Sequence, residues 1–330
     1  MLNHKSILIT GGTGSFGNAF VQYVLDHYDP RRLIIYSRDE YKQMVMREKF
    51  KNHESKLRFF IGDVRDKDRL RRALDGVDYC IHAAAQKQVT SCEYNPQEAI
   101  KTNIGGAQNV IDATLDCGVT KVVALSTDKA VNPVNLYGGT KLVSDKLFIA
   151  ANAYAGNKDV NFSIVRYGNV AGSRGSVIPL YRKLIEQGVK ELPVTDNRMT
   201  RFWISLEEGV RLVIKALEEA KGGETFISKI PSFRILDLVQ AMSADATITQ
   251  IGIREGEKLH EVMITPEDAS RTYEYNNHFV IYPQIVWSEK RKNTPTGTKV
   301  KEGFCYSSET NESWLDVEQI RDLLQTLESH

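Results

Sequence analysis

Short apolar runs alternate with longer segments of helical periodicity through the first half of the chain. The runs are rich in β-branched residues and have the length of buried strands, whereas the segments between them place apolar residues at i, i+3 and i+4. This alternation predicts an α/β fold with a Rossmann-like, doubly wound parallel sheet that helices cover on both faces. The predicted strands are residues 6–10, 33–36, 57–61, 79–82, 121–126 and 162–167, and the predicted long helices are residues 16–26, 95–117 and 136–155.

The rhythm becomes irregular after residue 167. A loop rich in Gly, Ser and Arg spans residues 168–176 and is followed by a helix over 177–187, a second loop through Arg201 and a helix over 206–220. Composition changes little, which favours an interleaved domain over a free linker. We therefore predict a nucleotide-binding Rossmann domain over residues 1–167, to which part of the later chain returns, and a smaller domain over 168–330 devoted mainly to substrate.

Composition excludes several classes of function. The chain has 330 residues, with 43 Lys and Arg against 42 Asp and Glu, so no global field attracts nucleic acid or an anionic membrane. Its apolar runs are far shorter than the ~20 residues that a membrane span needs, and no signal-peptide pattern precedes the first strand. The four cysteines lack C-x-x-C spacing, so no metal site is expected, and the charged run 288–293 is interpreted as a solvated loop. We expect a cytoplasmic protein without nucleic-acid or membrane partners.

A glycine-rich turn follows the first strand. Gly11, Gly14 and Gly17 form a G-x-x-G-x-x-G pattern that opens the first helix. Glycines at these points permit a tight turn, the approach of a pyrophosphate to backbone N–H groups, and close packing of helix on strand. The pattern is weak alone, but its place between the first strand and helix of a βαβ unit indicates a dinucleotide site.

The end of the second predicted strand indicates which dinucleotide binds. Ser37 and Arg38 stand where an acid would bind the adenosine ribose, and Lys42 follows one turn later. Hydroxyl and cationic groups suit a 2′-phosphate, so NADP is expected; Asp39 is the feature that would favour NAD instead. Asp63 is placed for the adenine, and small residues over 83–85 allow a dinucleotide to lie against the backbone. The predicted cofactor-binding residues are Gly11, Thr13, Gly14, Ser15, Phe16, Gly17, Ser37, Arg38, Asp39, Lys42, Asp63, Val64, Ala83, Lys87, Tyr137 and Lys141.

A Tyr-x-x-x-Lys pair begins the predicted helix 136–155. Residues i and i+4 share a helix face, so the Lys141 ammonium can lower the pKa of the Tyr137 phenol and hold a ribose while the phenolate removes a proton from a substrate hydroxyl. A second pair, Tyr154 and Lys158, lies at the helix end, away from the sheet edge. Residues 126–129, Ser-Thr-Asp-Lys, add an acid and an ammonium that a simple oxidoreductase does not need, which indicates further proton transfers. A surface Asp-Lys pair is the structural alternative.

These residues carry a resemblance to a known family. The chain resembles the extended short-chain dehydrogenase/reductases and, within them, the configuration-inverting UDP-N-acetylglucosamine 4,6-dehydratases of pseudaminic acid synthesis, which serves flagellin and surface-glycan glycosylation. Departures from that family pattern stand at Gln86, Thr90 and Glu255. The resembling stretches are residues 10–17, 36–40, 126–141, 165–176, 199–203, 252–263 and 306–315.

The resemblance implies a mechanism. A UDP-N-acetylglucosamine substrate would be oxidised transiently at carbon 4, lose water across carbons 5 and 6, and receive hydride at carbon 6, with inversion at carbon 5. Tyr137, with Lys141, would take the 4-hydroxyl proton, Thr127 would hydrogen-bond that oxygen, and Asp128 would protonate the departing 6-hydroxyl. Lys129 would be the base at carbon 5, provided that a dry, cationic site lowers its pKa.

The resemblance also implies a nucleotide-sugar site and an assembly. The residues that would line the sugar site are Lys87, Asn169, Val177, Thr195, Arg254 and Asn311. Arg254 would clasp the diphosphate, with a salt bridge to Glu257 or Glu261 as its structural alternative. His260 is expected to be a structural hydrogen-bonding residue. Family members associate through helices equivalent to 95–117 and 136–155, so a homo-oligomer, either a dimer or a hexamer, is expected.

Three alternatives remain open from the sequence. A retaining 4,6-dehydratase would differ only in the base geometry at carbon 5. A UDP-sugar 4-epimerase or a reductase would use the same cofactor and tyrosine without needing Asp128 or Lys129. A non-catalytic NADP-sensing protein would commonly lack the Tyr-Lys pair that is intact here.

Overall fold

The computed structural model describes residues 1–172, 176–285 and 294–328. The charged run 288–293 and part of the loop 168–176 lie outside these residues. Within the described ranges, no helix is long and apolar enough to cross a membrane.

The strands follow the sequence pattern closely in the first half of the chain. The Ser6–Thr10 strand is buried along its whole length, as expected where helices cover both faces of a sheet. The strands of the described residues are β1 Ser6–Thr10, β2 Arg32–Ser37, β3 Leu57–Ile61, β4 Tyr79–His82, β5 Lys121–Thr127, β6 Asn161–Tyr167, β7 Glu191–Val194, β8 Thr200–Phe202, β9 Thr225–Ser228, β10 Ser232–Arg234, β11 Thr247–Gln250, β12 Val262–Ile264, β13 Thr272–Glu274, β14 His278–Ile281, β15 Thr298–Lys299 and β16 Tyr306–Ser307.

The helices include all those predicted and several shorter ones. Asp39 and Asp66 cap two short polar helices, α2 and α3, which the apolar pattern did not reveal. The helices of the described residues are α1 Ser15–His27, α2 Glu40–Lys49, α3 Lys67–Leu74, α4 Val89–Tyr94, α5 Pro96–Ile100, α6 Gly106–Cys117, α7 Leu136–Tyr154, α8 Val177–Glu186, α9 Leu206–Glu219, α10 Ile235–Met242 and α11 Val317–Glu328.

The main sheet runs in the order β15-β13-β14-β9-β6-β5-β4-β1-β2-β3 among the described residues. The strands from β9 to β3 in this order are parallel, and β14, β13 and β15 extend the sheet with antiparallel pairs. The predicted α/β class and parallel sheet are therefore confirmed. The antiparallel edge was missed because its strands are short and the sequence around them has no strong periodicity.

Two apolar layers enclose the sheet and a third lies apart. Helices α1 and α9 pack on one face and α3, α6 and α7 on the other, which is the two-sided cover that the alternation predicted. A separate core joins α8, α10 and α11 around Tyr181, Leu192 and Leu238. The later chain thus contributes both to the main sheet, through β9, β13, β14 and β15, and to this smaller body. The division at residue 167 stays a prediction.

The predicted helix 95–117 is interrupted. It consists of α5, a π-helical turn over Lys101–Gly105, and α6. The turn presents the Asn103 side chain to the segment after β4, where its amide accepts from the Gln86 N–H (2.8 Å) and donates to the Gln86 carbonyl (2.9 Å). An extra residue in a helical turn is commonly found at functional sites. Here the turn places Asn103 so that its side chain anchors the backbone of Gln86, next to Lys87.

Candidate active site

A cavity of about 1070 Å³ opens at the carboxyl ends of the parallel strands. This edge of a doubly wound sheet is where such folds bind ligands. Most of the residues predicted from sequence line it. They are Gly11, Thr13, Gly14, Ser15, Phe16, Ser37, Arg38, Asp39, Lys42, Asp63, Val64, Ala83, Lys87, Thr127, Lys129, Tyr137, Lys141, Asn169, Val177, Thr195 and Arg254.

Three predicted site residues do not line the cavity. Gly17 packs helix α1 onto the turn, since a Cβ there would lie 2.1 Å from the Gly12 carbonyl oxygen. Asp128 is fully buried behind the cavity wall. Asn311 holds the backbone elsewhere: its amide donates to the Ile230 carbonyl (2.8 Å) and to Ser232 Oγ (3.0 Å). The expected contact of Asn311 with a sugar is therefore not supported by its place in the fold.

The glycine turn forms a cradle at the start of α1. Gly11 has φ +65°, and a Cβ there would lie 2.9 Å from Ala84, so the turn and the segment after β4 touch without side chains between them. Helix α1 begins at Gly14 without a side-chain cap. Its first N–H groups and the positive end of the helix dipole therefore face the cavity, where a pyrophosphate would be stabilised.

Charged groups at the end of β2 are already paired with one another. The Asp39 carboxylate caps α2 by accepting from the Lys42 N–H (2.9 Å), and its other oxygen lies 3.0 Å from Lys42 Nζ. Arg38 is largely exposed, with Nη1 3.6 Å from Asp63 Oδ2. The Asp39 carboxylate, which would favour NAD, is thus occupied in capping α2 and pairing with Lys42. Arg38, in contrast, lines the cavity.

Strand β5 and helix α7 deliver the candidate catalytic groups. Beyond β5 the chain makes a 3-10 turn over Asp128–Ala130, and Thr127 caps this turn. Helix α7 packs against it so closely that a Cβ at Gly138 would lie 2.1 Å from the Lys129 carbonyl oxygen. Because Tyr137 precedes this glycine, the close approach sets Tyr137 beside the Thr127–Lys129 segment. The second Tyr-Lys pair is excluded from the site, since Tyr154 is half exposed at the far end of α7.

Lys129 lies between two carboxylates. Its Nζ is 3.2 Å from Asp128 Oδ1, 3.4 Å from Glu261 Oε1 and 2.9 Å from Asn169 Oδ1. Burial alone would lower the pKa of Lys129, but the charges of Asp128 and Glu261 outweigh it and raise that pKa. The expectation of a cationic site with a lowered lysine pKa is wrong, because the nearest charges are negative.

Asp128 has the environment of an acid. Burial, and next the charge of Glu261, raise the pKa of the Asp128 carboxyl, although Lys129 and Thr127 act in the opposite direction. Oδ1 accepts from the Thr127 hydroxyl (2.8 Å), while Oδ2 is buried without a hydrogen-bond partner among the described residues. A Cβ at Gly168 would lie only 3.4 Å from Oδ2. Asp128 can therefore hold a proton, and it contacts two residues that line the cavity, Thr127 and Lys129.

Tyr137 and Lys141 are both buried in the wall of the cavity. Burial raises the pKa of Tyr137 to about 12, whereas Lys129 and a hydrogen bond with Thr127 act to lower it. Burial lowers the pKa of Lys141, and the Asp145 carboxylate one turn further along α7 acts against this. The cation that favours the Tyr137 phenolate most in this structure is thus Lys129, where the sequence had suggested Lys141.

Sequence reasoning gave no place in the catalytic cluster to two charged residues. Glu261 precedes β12, lines the cavity and contacts Lys129, although the two residues are 132 positions apart. Arg201, which the sequence pattern placed in a loop, lies in β8 with Nε 3.7 Å from Glu261 Oε1. No spacing pattern links these residues to residues 127–129, so only the fold reveals the cluster.

Two further expectations concern the 252–263 segment. Arg254 is more than half exposed and lies 3.8 Å from Glu257 Oε1, so its loose ion-pair partner is Glu257 and not Glu261. His260 shares a hydrogen bond with Thr200 Oγ1 (2.8 Å), as expected for a structural histidine. Among the described residues, no cluster of His, Cys, Asp or Glu could hold a metal ion.

Comparison with known proteins agrees with this site. A Rossmann-like sheet with a glycine turn and a Tyr-Lys pair at one cavity defines the short-chain dehydrogenase/reductase class. The profile of the family described as "Polysaccharide biosynthesis protein" matches residues 7–283, and the chain belongs to this family.

Several curated relatives match nearly the whole chain, and two of them carry different names. A Campylobacter jejuni protein named UDP-N-acetylglucosamine 4,6-dehydratase (inverting) is 54% identical over 334 residues, covering 99% of each chain. A Rickettsia prowazekii protein named UDP-glucose 4-epimerase is 41% identical, covering 99% of this chain and 97% of its own.

Solved structures share the fold, and two of them illustrate the likeness. Pen from Bacillus thuringiensis superposes with a TM-score of 0.89 at 37% identity, covering 98% of this chain and 99% of its own. DesIV, a dTDP-glucose 4,6-dehydratase from Streptomyces venezuelae solved with NAD bound, gives a TM-score of 0.69 at 25% identity, covering 77% of this chain and 86% of its own.

Proposed function

We propose that the protein is a UDP-N-acetylglucosamine 4,6-dehydratase that inverts the configuration at carbon 5. The observation that carries this proposal is the contact of Asp128 with Thr127 and Lys129 at the cavity that also contains Tyr137. An oxidation alone needs the tyrosine and its lysine, whereas an elimination needs an additional base and acid. The relative of the same name, at 54% identity over almost the whole chain, supports the assignment.

The cavity suits a nicotinamide dinucleotide, and we propose NADP. The side-chain-free contact at Gly11 and the uncapped start of α1 fit a pyrophosphate. Arg38 and Lys42 line the cavity beyond β2, where a 2′-phosphate would meet two cations, while Asp39 is used by its helix cap. NAD, which is bound in the DesIV structure, is the alternative. When bound, the dinucleotide supplies reversible hydride exchange with the sugar.

Tyr137 is proposed to take the proton of the sugar's 4-hydroxyl. Its phenol is buried in the cavity wall beside Thr127, which can hydrogen-bond the same sugar oxygen. Lys141, one helical turn further, is a buried cation that would hold a ribose hydroxyl. Oxidation to a 4-ketone then makes the hydrogen at carbon 5 acidic.

The Asp128–Lys129 pair is proposed to perform the elimination. Lys129 faces the cavity and takes the proton at carbon 5 after it has given its own proton to the Asp128 carboxylate, 3.2 Å away. Asp128 supplies the proton that lets the 6-hydroxyl leave as water, through the side chains of Thr127 and Lys129 that it contacts. In the net balance, the proton from the 4-hydroxyl accounts for the one lost in water. Return of a proton to carbon 5 from the opposite face inverts that centre.

The nucleotide sugar is proposed to occupy the far half of the cavity. Asn169 contacts Lys129 directly, and Val177, Thr195 and Arg254 line the wall formed by the later chain. Arg254 is the cation offered to the diphosphate there, since its ion pair with Glu257 is loose and its side chain is more than half exposed. Lys87 lies on the opposite side, beside the segment that Asn103 anchors.

A UDP-sugar 4-epimerase is the second candidate, favoured by the 41% identical relative with the name UDP-glucose 4-epimerase. An epimerase leaves the 6-hydroxyl in place and has no use for a buried acid beside Lys129. The decisive experiment is incubation of the protein with UDP-N-acetylglucosamine in deuterated water, followed by NMR. A 4-keto-6-deoxy sugar with deuterium at an inverted carbon 5 supports the proposal, retained configuration indicates a retaining dehydratase, and an intact 6-hydroxyl overturns both.

A homo-oligomer is proposed from the surface of α5 and α7. Four large apolar side chains on or next to these helices are exposed, which is unfavourable in a monomer. Sedimentation at working concentration that showed only a 37.3 kDa species would refute this assembly. The four exposed apolar side chains from which this assembly is proposed are Tyr94, Ile100, Val143 and Tyr154.

A further inference from the structure

Glu261 is held rigidly although it lies outside any helix. Its backbone N–H donates to Ser308 Oγ (2.9 Å), and its carbonyl accepts from the Ser308 N–H (2.8 Å). The antiparallel pair β12 and β16 continues this contact. The side chain is almost completely buried, with 3% of its surface exposed. The backbone ladder therefore fixes where this carboxylate lies.

The carboxylate points into a cluster of charges. Oε1 lies 3.4 Å from Lys129 Nζ and 3.7 Å from Arg201 Nε, while Oε2 is buried without a hydrogen-bond partner among the described residues. Lys258 and Asp128 also act on it electrostatically. Glu261 lines the cavity, yet the polar contacts of its carboxylate are with the cations Lys129 and Arg201.

The arrangement gives the two carboxylates different partners. Lys129 touches both of them, whereas Arg201 lies near Glu261 only. The surrounding cations hold Glu261 ionised, and its charge then disfavours a second negative charge on Asp128. The unequal environments of these neighbouring acids therefore favour the ionised form of Glu261 and the protonated form of Asp128.

We propose that Glu261 is a positioning residue of the dehydration chemistry, which rests on the function proposed above: its carboxylate holds the Lys129 side chain beside Asp128 and leaves the reactive proton on Asp128. Glu261 transfers nothing to the sugar in this scheme. It acts through the two residues that do.

The proposal predicts a displacement of the pH profile. Glu261 raises the pKa of both Asp128 and Lys129, so its neutralisation should lower both. Turnover is lost as pH rises through the pKa of the acid and is gained as pH rises through the pKa of the base. Since Tyr137, Arg201 and Lys258 remain in place, both limbs should move to lower pH, by about 1 to 3 units for a charge at this distance.

The test compares Glu261→Gln, Glu261→Asp and wild type. Glutamine keeps the length and a carbonyl acceptor for Lys129 but removes the charge, whereas aspartate keeps the charge at a greater distance. Glu309→Gln is the matched control. This exposed acid follows β16 closely and pairs with His260 (3.5 Å), the neighbour of Glu261, but it does not touch Lys129. The kcat and KM for UDP-N-acetylglucosamine are measured across pH, and folding is followed by thermal melting.

We expect Glu261→Gln to move both limbs downward with a loss mainly in kcat, and Glu261→Asp to give a smaller displacement in the same direction. Glu309→Gln should superpose on wild type. An unmoved profile in Glu261→Gln, or in Glu261→Asp if the glutamine variant does not fold, overturns the positioning role and makes Glu261 structural. If wild type itself makes no 4-keto-6-deoxy product, the proposed function fails instead, so the two failures are distinguishable.

Discussion

Replacement of Lys129 by methionine separates a dehydratase from a simple oxidoreductase of the same fold. Methionine keeps the approximate length of the side chain and removes the nitrogen that lies 3.2 Å from Asp128 and 3.4 Å from Glu261. Tyr137 and Lys141 remain, so the sugar can still be oxidised at carbon 4. The removal of the proton at carbon 5 then has no base.

The expected loss of turnover follows from this missing step. A positioned base contributes about 10²- to 10⁴-fold, which is roughly 3 to 6 kcal/mol at ~1.4 kcal/mol per decade. The variant also leaves the Glu261 carboxylate with Arg201 as its nearest cation, at 3.7 Å. Loss of one charged hydrogen bond at a buried site costs about 1 to 3 kcal/mol, and each kcal/mol lowers Tm by at most about 2–4 °C in a chain of this size.

The assay is the yield of 4-keto-6-deoxy sugar by NMR, with substrate binding measured separately by calorimetry. Lys215→Met is the control, because that ammonium pairs with Glu219 (2.8 Å) on the surface of α9. Binding should persist in Lys129→Met while product falls by at least about 100-fold. Near-native turnover of folded Lys129→Met would show that Lys129 is not the base.

Three other substitutions, the last with a neighbouring glycine as its control, test separate parts of the structure. Tyr137→Phe should abolish the oxidation at carbon 4 itself, with loss of about 10²- to 10⁴-fold in turnover and unchanged substrate binding; product formation at the wild-type rate would exclude the phenol. Arg38→Ala should weaken NADP by about tenfold or more while NAD is unaffected, since only NADP offers a 2′-phosphate; equal losses in titrations of the two cofactors would make Arg38 structural. Gly138→Ala should lower Tm and destabilise the fold by about 1 to 3 kcal/mol, because its Cβ would lie 2.1 Å from the Lys129 carbonyl oxygen. The control is the neighbouring Gly139→Ala, because no atom lies within 4 Å of its added Cβ; it should stabilise α7 by about 0.5 to 1 kcal/mol. Equal melting temperatures for Gly138→Ala and Gly139→Ala would contradict the close packing at Gly138.

Local sequence signals predicted much of the fold and the first half of the site. The glycine turn, the end of β2 and the Tyr137–Lys141 pair are each encoded within a few residues, because a turn or one helix face brings their members together. The π-helical turn at Lys101–Gly105 was not predictable, since its stabilising contact is to Gln86, distant in sequence.

Properties that depend on the whole fold could not be predicted. The sign of the charge around Lys129 depends on Glu261, and the burial of Asp128 depends on how closely Gly168 approaches it. Asn311 was assigned to the sugar by resemblance, but its amide satisfies the backbone of Ile230. Contacts between residues so far apart along the chain produce no periodic pattern that a single sequence could reveal.

The ladder between β12 and β16 has a consequence for how the enzyme is made. Residues 11 to 141 leave the ribosome before Glu261 does, and they contain the glycine turn, Tyr137 and the Thr127–Lys129 segment. Glu261 follows 132 positions after Lys129, and its β16 partner comes later still. A nascent chain therefore contains the glycine turn, Tyr137 and Lys129 well before Glu261, and the β16 strand that pairs with β12 is synthesised more than half a chain after Lys129.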